Sequence, residues 1–526
     1  MLGPRLLILL AFALVVGIPL AFRPPSAVPP EGAAKLIVIT PHNEQIRAEF
    51  GHAFDQWHRR VHGQPAVIDW RTPGGTSEIR KQLQAIYKKA ISIGQIRADG
   101  SLAHDFPSMP FDICLGGGSY EHEQLKVGVS DAGPGETTPF TLSISEPAGM
   151  TSEQLEAWFG ENVIGAGKLF DPEQYWIGTA LSGFGIVYNR DVLRKLGLDE
   201  PVNWSDLADP RYARWLALAD PRQSGSVETT YNSILDHYGW DEGWRVLRAM
   251  CANARYFANT APKIPLDVSQ GEAAAGVAID FYGRYQSQAV MQPGETPETS
   301  RVGYIDPPGA VFIDPDPVSI LRAGPNPELA RRFVEFLLTE EAQALWQFPA
   351  RGEEPGLGPT TYELRRMPIT REMYEHHMDR FVDRVNAFEI ASTTPSRGWR
   401  SALRPMMGSF AIDIHHDQTR AWAAMNRARA AGAPAETLAE MERLFFAWPT
   451  HTLRTKAQDG TYRDESVEFN EANYRAIRSD WREAEKDGRM NDIRIGYTAF
   501  FRANYRAIIR MADSSGHGDA HAPRGP

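Results

Sequence analysis

Two short stretches combine residue types able to hold an anion: Gly74-Gly75-Thr76-Ser77 and Ser224-Gly225-Ser226. Each follows an apolar run and precedes a segment with helical spacing. Ile79 and Leu83 mark the first, and Tyr231, Ile234 and Leu235 the second. Glycine lets the backbone approach a partner closely, and the unpaired N–H groups and dipole of a helix start favour negative charge. The plainer role for the hydroxyls is to cap their own helices, which suffices for one isolated turn. A pair of such turns, one in each of two α/β units, points instead to a cleft with both turns facing it. A third small-residue turn, Gly116-Gly117-Gly118, also ends an apolar run.

Asp280 and Tyr282 close another apolar run, Gly276-Val277-Ala278-Ile279. Carboxylate and phenolate oxygens are hard donors suited to a hard cation. The same two residues would equally fix a hinge by hydrogen bonding. In Asp314-Pro315-Asp316-Pro317 the prolines impose an extended crossover, and its carboxylates are expected to accept backbone N–H groups. Other chemistries lack their motifs. There is no G-x-x-x-x-G-K-[ST] loop, no G-x-G-x-x-G, no H-E-x-x-H and no G-x-S-x-G elbow. The adjacent histidines His376-His377 and His415-His416 diverge on a helix and are read as solvated or packed. No catalytic residues are assigned, and an enzyme on this scaffold is the weakest reading. With 66 acidic against 55 basic residues the net charge is −11, which argues against nucleic acid as a partner.

The elements that must position these residues alternate strand and helix. Leu36-Ile37-Val38-Ile39-Thr40 reads as a strand covered on both faces, followed by a helix carrying Ile46, Phe50, Phe54 and Trp57. Residues 35–182 form one α/β lobe, to which 300–348 returns, and 183–299 form a second. Residues 349–512 are a mostly α extension, and 513–526 a polar tail read as disordered. Residues 1–34 carry one early arginine, an apolar run from Leu6 to Phe22 and a proline-rich stretch, the pattern of an export signal able to persist as a membrane anchor. The two cysteines, Cys114 and Cys251, are expected to be separate buried thiols.

With these residues in place the chain resembles a periplasmic solute-binding protein of an ABC importer, family 1, ferric-iron-type branch. The likeness spans roughly residues 36–346. It rests on Ile39-Thr40-Pro41-His42-Asn43-Glu44, Gly74-Gly75-Thr76-Ser77, Asn203-Trp204-Ser205-Asp206-Leu207, Ala219-Asp220-Pro221-Arg222-Gln223-Ser224-Gly225-Ser226 and Pro325-Asn326-Pro327-Glu328-Leu329-Ala330. The resemblance implies a two-lobed periplasmic-binding-protein-like α/β fold, joined by crossover strands and closing on a solute. It places an anion at Ser224, Gly225 and Ser226, makes Tyr282 a metal ligand, and puts a ligand histidine near His42 or Asn43. The relatives carry two adjacent tyrosines where this chain has Phe281-Tyr282. The expected ligand-binding set is Thr40, His42, Asn43, Gly74, Gly75, Thr76, Ser77, Gly117, Gly118, Ser224, Gly225, Ser226, Asp280 and Tyr282. Ferric iron, another metal chelate and a small organic or inorganic anion all remain open as solutes, with no resident cofactor. The expected partner is an ABC permease of the inner membrane, the location periplasmic and the alternative role that of a sensor or adaptor using the same cleft. The helical extension is a departure from this family pattern. It would buttress the first lobe, dock a membrane partner or restrict opening.

Overall fold

The computed structural model describes residues 32–296, 298–456 and 461–514, with Phe12, Leu14, Val15 and Gly17. The remaining positions, including most of the N-terminal apolar run and the polar tail, lie outside the described residues. Among the described residues no helix is long and apolar enough to cross a membrane.

Continuous apolar runs become central strands because both faces of a sheet layered between helices are removed from water. The first lobe is built on a seven-stranded sheet in the order β14-β7-β13-β3-β1-β2, with β6 also against β13. Its strands are β1 (Ala34–Ile39), β2 (Ala66–Arg71), β3 (Ile113–Leu115), β6 (Ser145–Glu146), β7 (Ile177–Ser182), β13 (Asp314–Leu321) and β14 (Met367–Pro368). Here β1 runs parallel to β2 and β3, so their carboxyl ends and the turns after them share one edge. A small hairpin, β4 (Val129–Asp131) with β5 (Phe140–Leu142), stands apart. The second lobe holds a five-stranded sheet in the order β10-β9-β11-β8-β12. Its strands are β8 (Phe184–Asn189), β9 (Leu216–Ala219), β10 (Ala254–Ala258), β11 (Ala275–Ile279) and β12 (Val302–Ile305).

Two crossings join the lobes: Gly183 between β7 and β8, and residues 306–313 between β12 and β13. The second corrects the sequence boundary. Residues 302–305 pair antiparallel with β8 in the second sheet, so the chain returns to the first lobe at Asp314 rather than at 300.

The extension is not a separate body. Glu49, on helix α1 (Glu44–His62), accepts the backbone N–H groups of Thr360, Thr361 and Tyr362, pinning the chain to the first lobe. β14 then adds to the edge of the first sheet against β7. Ala391 bridges Val311 beside the crossover, and the Arg397 N–H reaches Asp236 on the second lobe. From there the extension packs on the second lobe. The main contact face is α5 (Trp240–Asn253), which follows α4 (Gly225–Tyr238). Trp240 and Trp244 share one apolar core with Trp399, Phe410, Phe469 and Tyr474. Arg248 of α5, 1% exposed, donates to the Ala447 carbonyl at 2.9 Å and to that of Phe445, with its guanidinium 4.9 Å from the Trp448 ring centre. The extension therefore holds both lobes, and most of it buttresses the second rather than the first. It also carries a hairpin, β15 (Thr450–Lys456) with β16 (Tyr462–Glu468). Cys114 and Cys251 are both buried and unpaired.

Because this shared core includes the fully buried Trp244 ring, Trp244→Ala is expected to cost about 3–5 kcal/mol. The loss should appear as a lower denaturant midpoint in the transition that unfolds the second lobe and extension together. Separate melting of the extension with the second lobe unaffected would contradict this packing.

Candidate solute-binding site between the lobes

The strand-end turns meet across the interlobe space. Helix α2 (Thr76–Ser92) starts from Gly75, helix α3 (Ser119–Val127) from Gly118, α4 from Ser224, and α6 (Asp280–Ala289) from Ile279. A Cβ added to Gly225 would stand 3.2 Å from Thr76 Oγ1, 3.2 Å from Glu121 Oε1 and 3.6 Å from Ser77 Oγ. The first turn of α4 thus faces the first turn of α2 at close range, and a side chain at position 225 would fit only if its neighbours gave by a few tenths of an ångström.

The predicted residues divide by this geometry. Thr76, Ser77 and Gly225 converge, and Gly117 joins them, since a Cβ added there, at φ +121°, would stand 2.9 Å from the Thr76 methyl. Gly74 and Gly75 do not join them. Gly75 is exposed, and its N–H donates to Glu78 Oε2 at 3.2 Å, so this nest holds the carboxylate of its own helix. Asn43 likewise caps its own helix, Oδ1 accepting from Ile46 at 3.0 Å, and Thr40 Oγ1 accepts the His42 N–H. Ser224 caps α4 by accepting the Val227 N–H at 3.5 Å. Ser226 follows Gly225 in that helix, and its side chain lies outside the described residues. Gly118, at φ +91°, lets Asp314 reach Ser119, whose hydroxyl donates to Oδ1 at 2.6 Å.

Asp280 is a hinge group. It is buried, and its carboxylate accepts the Gly183 N–H at 3.0 Å and the Phe281 N–H at 2.7 Å, which fixes the turn between β7 and β8. Burial pushes its carboxyl up to about 7, against the pull of Arg284. Burial likewise raises Asp314 to about 6. Tyr282 is half-buried against Phe281, with ring centres 4.2 Å apart. Burial raises its phenol, the Arg366 guanidinium opposes that shift, and Asp316 adds to it.

Three groups that sequence reasoning missed dominate the site. Arg366 arrives from the extension, just before β14, and is buried. It pairs with Asp316, approaches His42 Nε2 at 3.0 Å, and donates to Ser182 Oγ at 2.7 Å. Its guanidinium lies 4.6 Å from the Phe281 ring centre. Asp316 also takes the Gly117 N–H at 2.8 Å and lies 2.7 Å from His42 Nε2. Burial alone would raise its carboxyl, yet Arg366 and His42 hold it well below the usual carboxylate range. Glu121, buried on α3, accepts from Ser77 Oγ at 2.9 Å and pairs with Arg80 where the two helix starts face each other. Arg400, on helix α7 (Arg400–Phe410), donates to Thr229 Oγ1 and the Gly225 carbonyl, with its guanidinium 4.5 Å from the Tyr120 ring centre. Among the described residues no group of three or more His, Cys, Asp and Glu side chains is placed to hold a metal.

Two α/β lobes joined by crossovers, with helix starts facing each other, frame a space between the lobes. Residues 157–363 match the family described as bacterial extracellular solute-binding protein. Among curated proteins, the Phosphoglycerate transport regulatory protein PgtC of Salmonella typhimurium is 24% identical over 186 residues, covering 34% of this chain and 42% of that protein. An uncharacterized protein of Haemophilus influenzae is 28% identical over 170 residues, covering 32% of this chain and 46% of that one. The chain thus spans less than half the length of these relatives. A similar solved structure is that of AfuA from Actinobacillus pleuropneumoniae with fructose-6-phosphate bound, 16% identical over 72% of this chain and 99% of that one, at a TM-score of 0.46. Another is iron-bound HitA from Pseudomonas aeruginosa, 15% identical over 70% and 99%, at a TM-score of 0.43.

The raised Asp280 carboxyl sets a pH dependence. A folded value above the ordinary one of about 3.9 gives stability that is complete below that pH and lost as pH rises through about 7. Asp280→Asn should remove this component, so its stability relative to the parent chain improves between pH 5 and pH 8, by on the order of 1–4 kcal/mol. Chemical denaturation of both proteins across that range checks it. Parallel curves would show that the carboxyl ionises normally.

Proposed function

We propose that the protein is the solute-capturing component of an ABC-type importer outside the cytoplasm, and that its solute is a small anion held between the starts of α2 and α4. The observation that carries this reading is the placement of Thr76 and Ser77 opposite Gly225, with two helix N-termini of opposite lobes converging. Only a closed form offers a guest both sets of amides and hydroxyls, so a guest bound there would favour closure by its differential contacts. The charge pattern weighs against a metal cation. A buried guanidinium, Arg366, sits beside Asp316 and His42 and lowers the affinity of that region for further positive charge. Tyr282 is held toward its neutral phenol by burial, and its neighbour Phe281 has no donor atom.

The carboxylate of Glu121 occupies the convergence point in the present arrangement, so an incoming anion would have to take over its place beside Ser77. Phosphorylated small acids suit such a site because a phosphate accepts several N–H and O–H donors at once. One relative is named for phosphoglycerate transport and a similar structure carries fructose-6-phosphate, which makes phosphate esters the first candidates. The regulatory word in that relative's name favours the second reading, a sensor whose extension presents the closed state to a signalling partner.

Native mass spectrometry of the purified protein, then calorimetry with 3-phosphoglycerate, fructose 6-phosphate and ferric citrate, tests the proposal. A phosphate ester should bind in preference to ferric citrate. Ser77→Ala should weaken that binding by roughly tenfold or more, the scale for one hydrogen bond to a charged group, while leaving the melting temperature within a few degrees. Preferential ferric citrate binding, or a Ser77→Ala affinity equal to the parent's, would overturn the anion assignment.

A further inference from the structure

Closure of a two-lobed binder ordinarily depends on a guest that touches both lobes. Here several groups lining the space are already bonded to the chain's own side chains, Asp316 to Arg366 and Ser77 to Glu121 among them. At the base of the cleft the extension presents two consecutive arginines. Arg366 binds Asp316 and Ser182 on the first lobe and stacks on Phe281 of the second. Arg365 points to different partners. It pairs with Asp383 of the extension and donates to the Arg284 carbonyl at 3.2 Å and to Gln288, both on α6 of the second lobe. The strand that follows, β14, is fixed to the first lobe by its pairing with β7. The pair therefore ties a strand of one lobe to a helix of the other. Arg365 does so from φ +60°, a left-handed backbone that costs a non-glycine residue energy and persists only where surrounding contacts impose it. At the mouth a second tie runs the other way. Arg400, carried on the second lobe by its bonds to Thr229 and Gly225, lies over Tyr120 of the first.

We propose that the extension is a latch that holds the lobes closed without a solute, with Arg365 and Arg366 clasping the base of the cleft and Arg400 its mouth. This rests on reading the interlobe space as the solute site. Arg366 stands in that site as an internal guest: it makes contacts to both lobes that a solute would otherwise supply. An opening motion has to separate Arg366 from Phe281, Arg365 from α6, and Arg400 from Tyr120. The closed form is then the resting form, and opening, whether to admit a solute or under a partner acting on the extension, has to overcome these contacts.

The experiment uses the full-length chain, dialysed and shown by native mass spectrometry to carry no small molecule. A cysteine pair, Thr76→Cys with Gly225→Cys, reports closure, because an added Cβ at 225 lies within bonding range of residue 76 and disulfides need close Cβ atoms. In the otherwise unchanged protein the pair should oxidise readily, and small-angle scattering of the parent chain should fit the closed form. Adding Arg365→Ala with Arg366→Ala should slow oxidation by about tenfold or more and raise the radius of gyration. Phe281→Ser, which removes the second-lobe face of the Arg366 contact and leaves the extension intact, should act in the same direction if the arginine variant fails to fold. An open solute-free parent, or arginine and Phe281 variants that fold yet remain as closed as the parent, overturns the latch. None of these readouts uses a solute, so a failed anion assignment would show in the calorimetry while leaving this result standing.

Discussion

A buried carboxylate is tolerated only when opposite charge and hydrogen bonds replace the water it has lost, and the arrangement around Asp316 is built on that constraint. Its carboxylate takes the Arg366 guanidinium, the Gly117 N–H and the nearby His42 Nε2. Those partners come from three distant parts of the chain: the extension, the turn after β3 and the turn after β1. Gly116 has to lack a side chain because a Cβ there would press into the His42 ring, and Gly117 because one would meet Thr76. Satisfying this one desolvated charge therefore fixes the carboxyl edge of the first sheet. The helix starts that face the second lobe are set by that edge.

The second lobe depends on the extension in a different way. Its helix α5 presents two tryptophans and a fully buried arginine to the extension, and water covers none of them. The extension supplies the apolar cover and also the carbonyls of Phe445 and Ala447 that the Arg248 guanidinium needs. This dependence explains why the extension crosses from one lobe to the other instead of forming a domain of its own. It enters on the first lobe through Glu49 and β14, passes the crossover at Ala391, and ends packed on α5. The space between the lobes is thus bordered by residues from all three regions.

Much of the fold was legible because its signals are local. Leu36 to Ile39 and Gly276 to Ile279 are unbroken apolar runs, and each leads directly into a polar or small-residue turn. The convergence of Thr76, Ser77 and Gly225 was readable because each turn follows the carboxyl end of a strand in its own lobe, one in each of the two sheets. The hydrogen-bonding role of Asp314 and Asp316 toward backbone N–H groups was also readable, since prolines on either side hold that segment extended. Arg366 was not readable. Its strand is two residues long, and it pairs with a strand nearly two hundred positions earlier, so no periodicity announces it. Glu121 lies in Ser119-Tyr120-Glu121-His122-Glu123, where nothing in the pattern separates a buried carboxylate from a solvated one. The misplaced lobe boundary has a similar origin. Val302 to Ile305 follows a loop long enough to conceal that it turns back onto β8. Gly74 and Gly75 misled because a carboxylate three residues away, Glu78, satisfies their turn locally.

The central claim is that the lobes meet through the chain's own side chains and not only through the two crossings. Spin labels at two exposed positions, Val61 on the first lobe and Leu266 on the second, measure this directly by electron–electron dipolar coupling. A single narrow distance in solute-free protein, matching the closed form, is the expected result. A dominant, broad and longer distance that collapses only when a solute is added would contradict it.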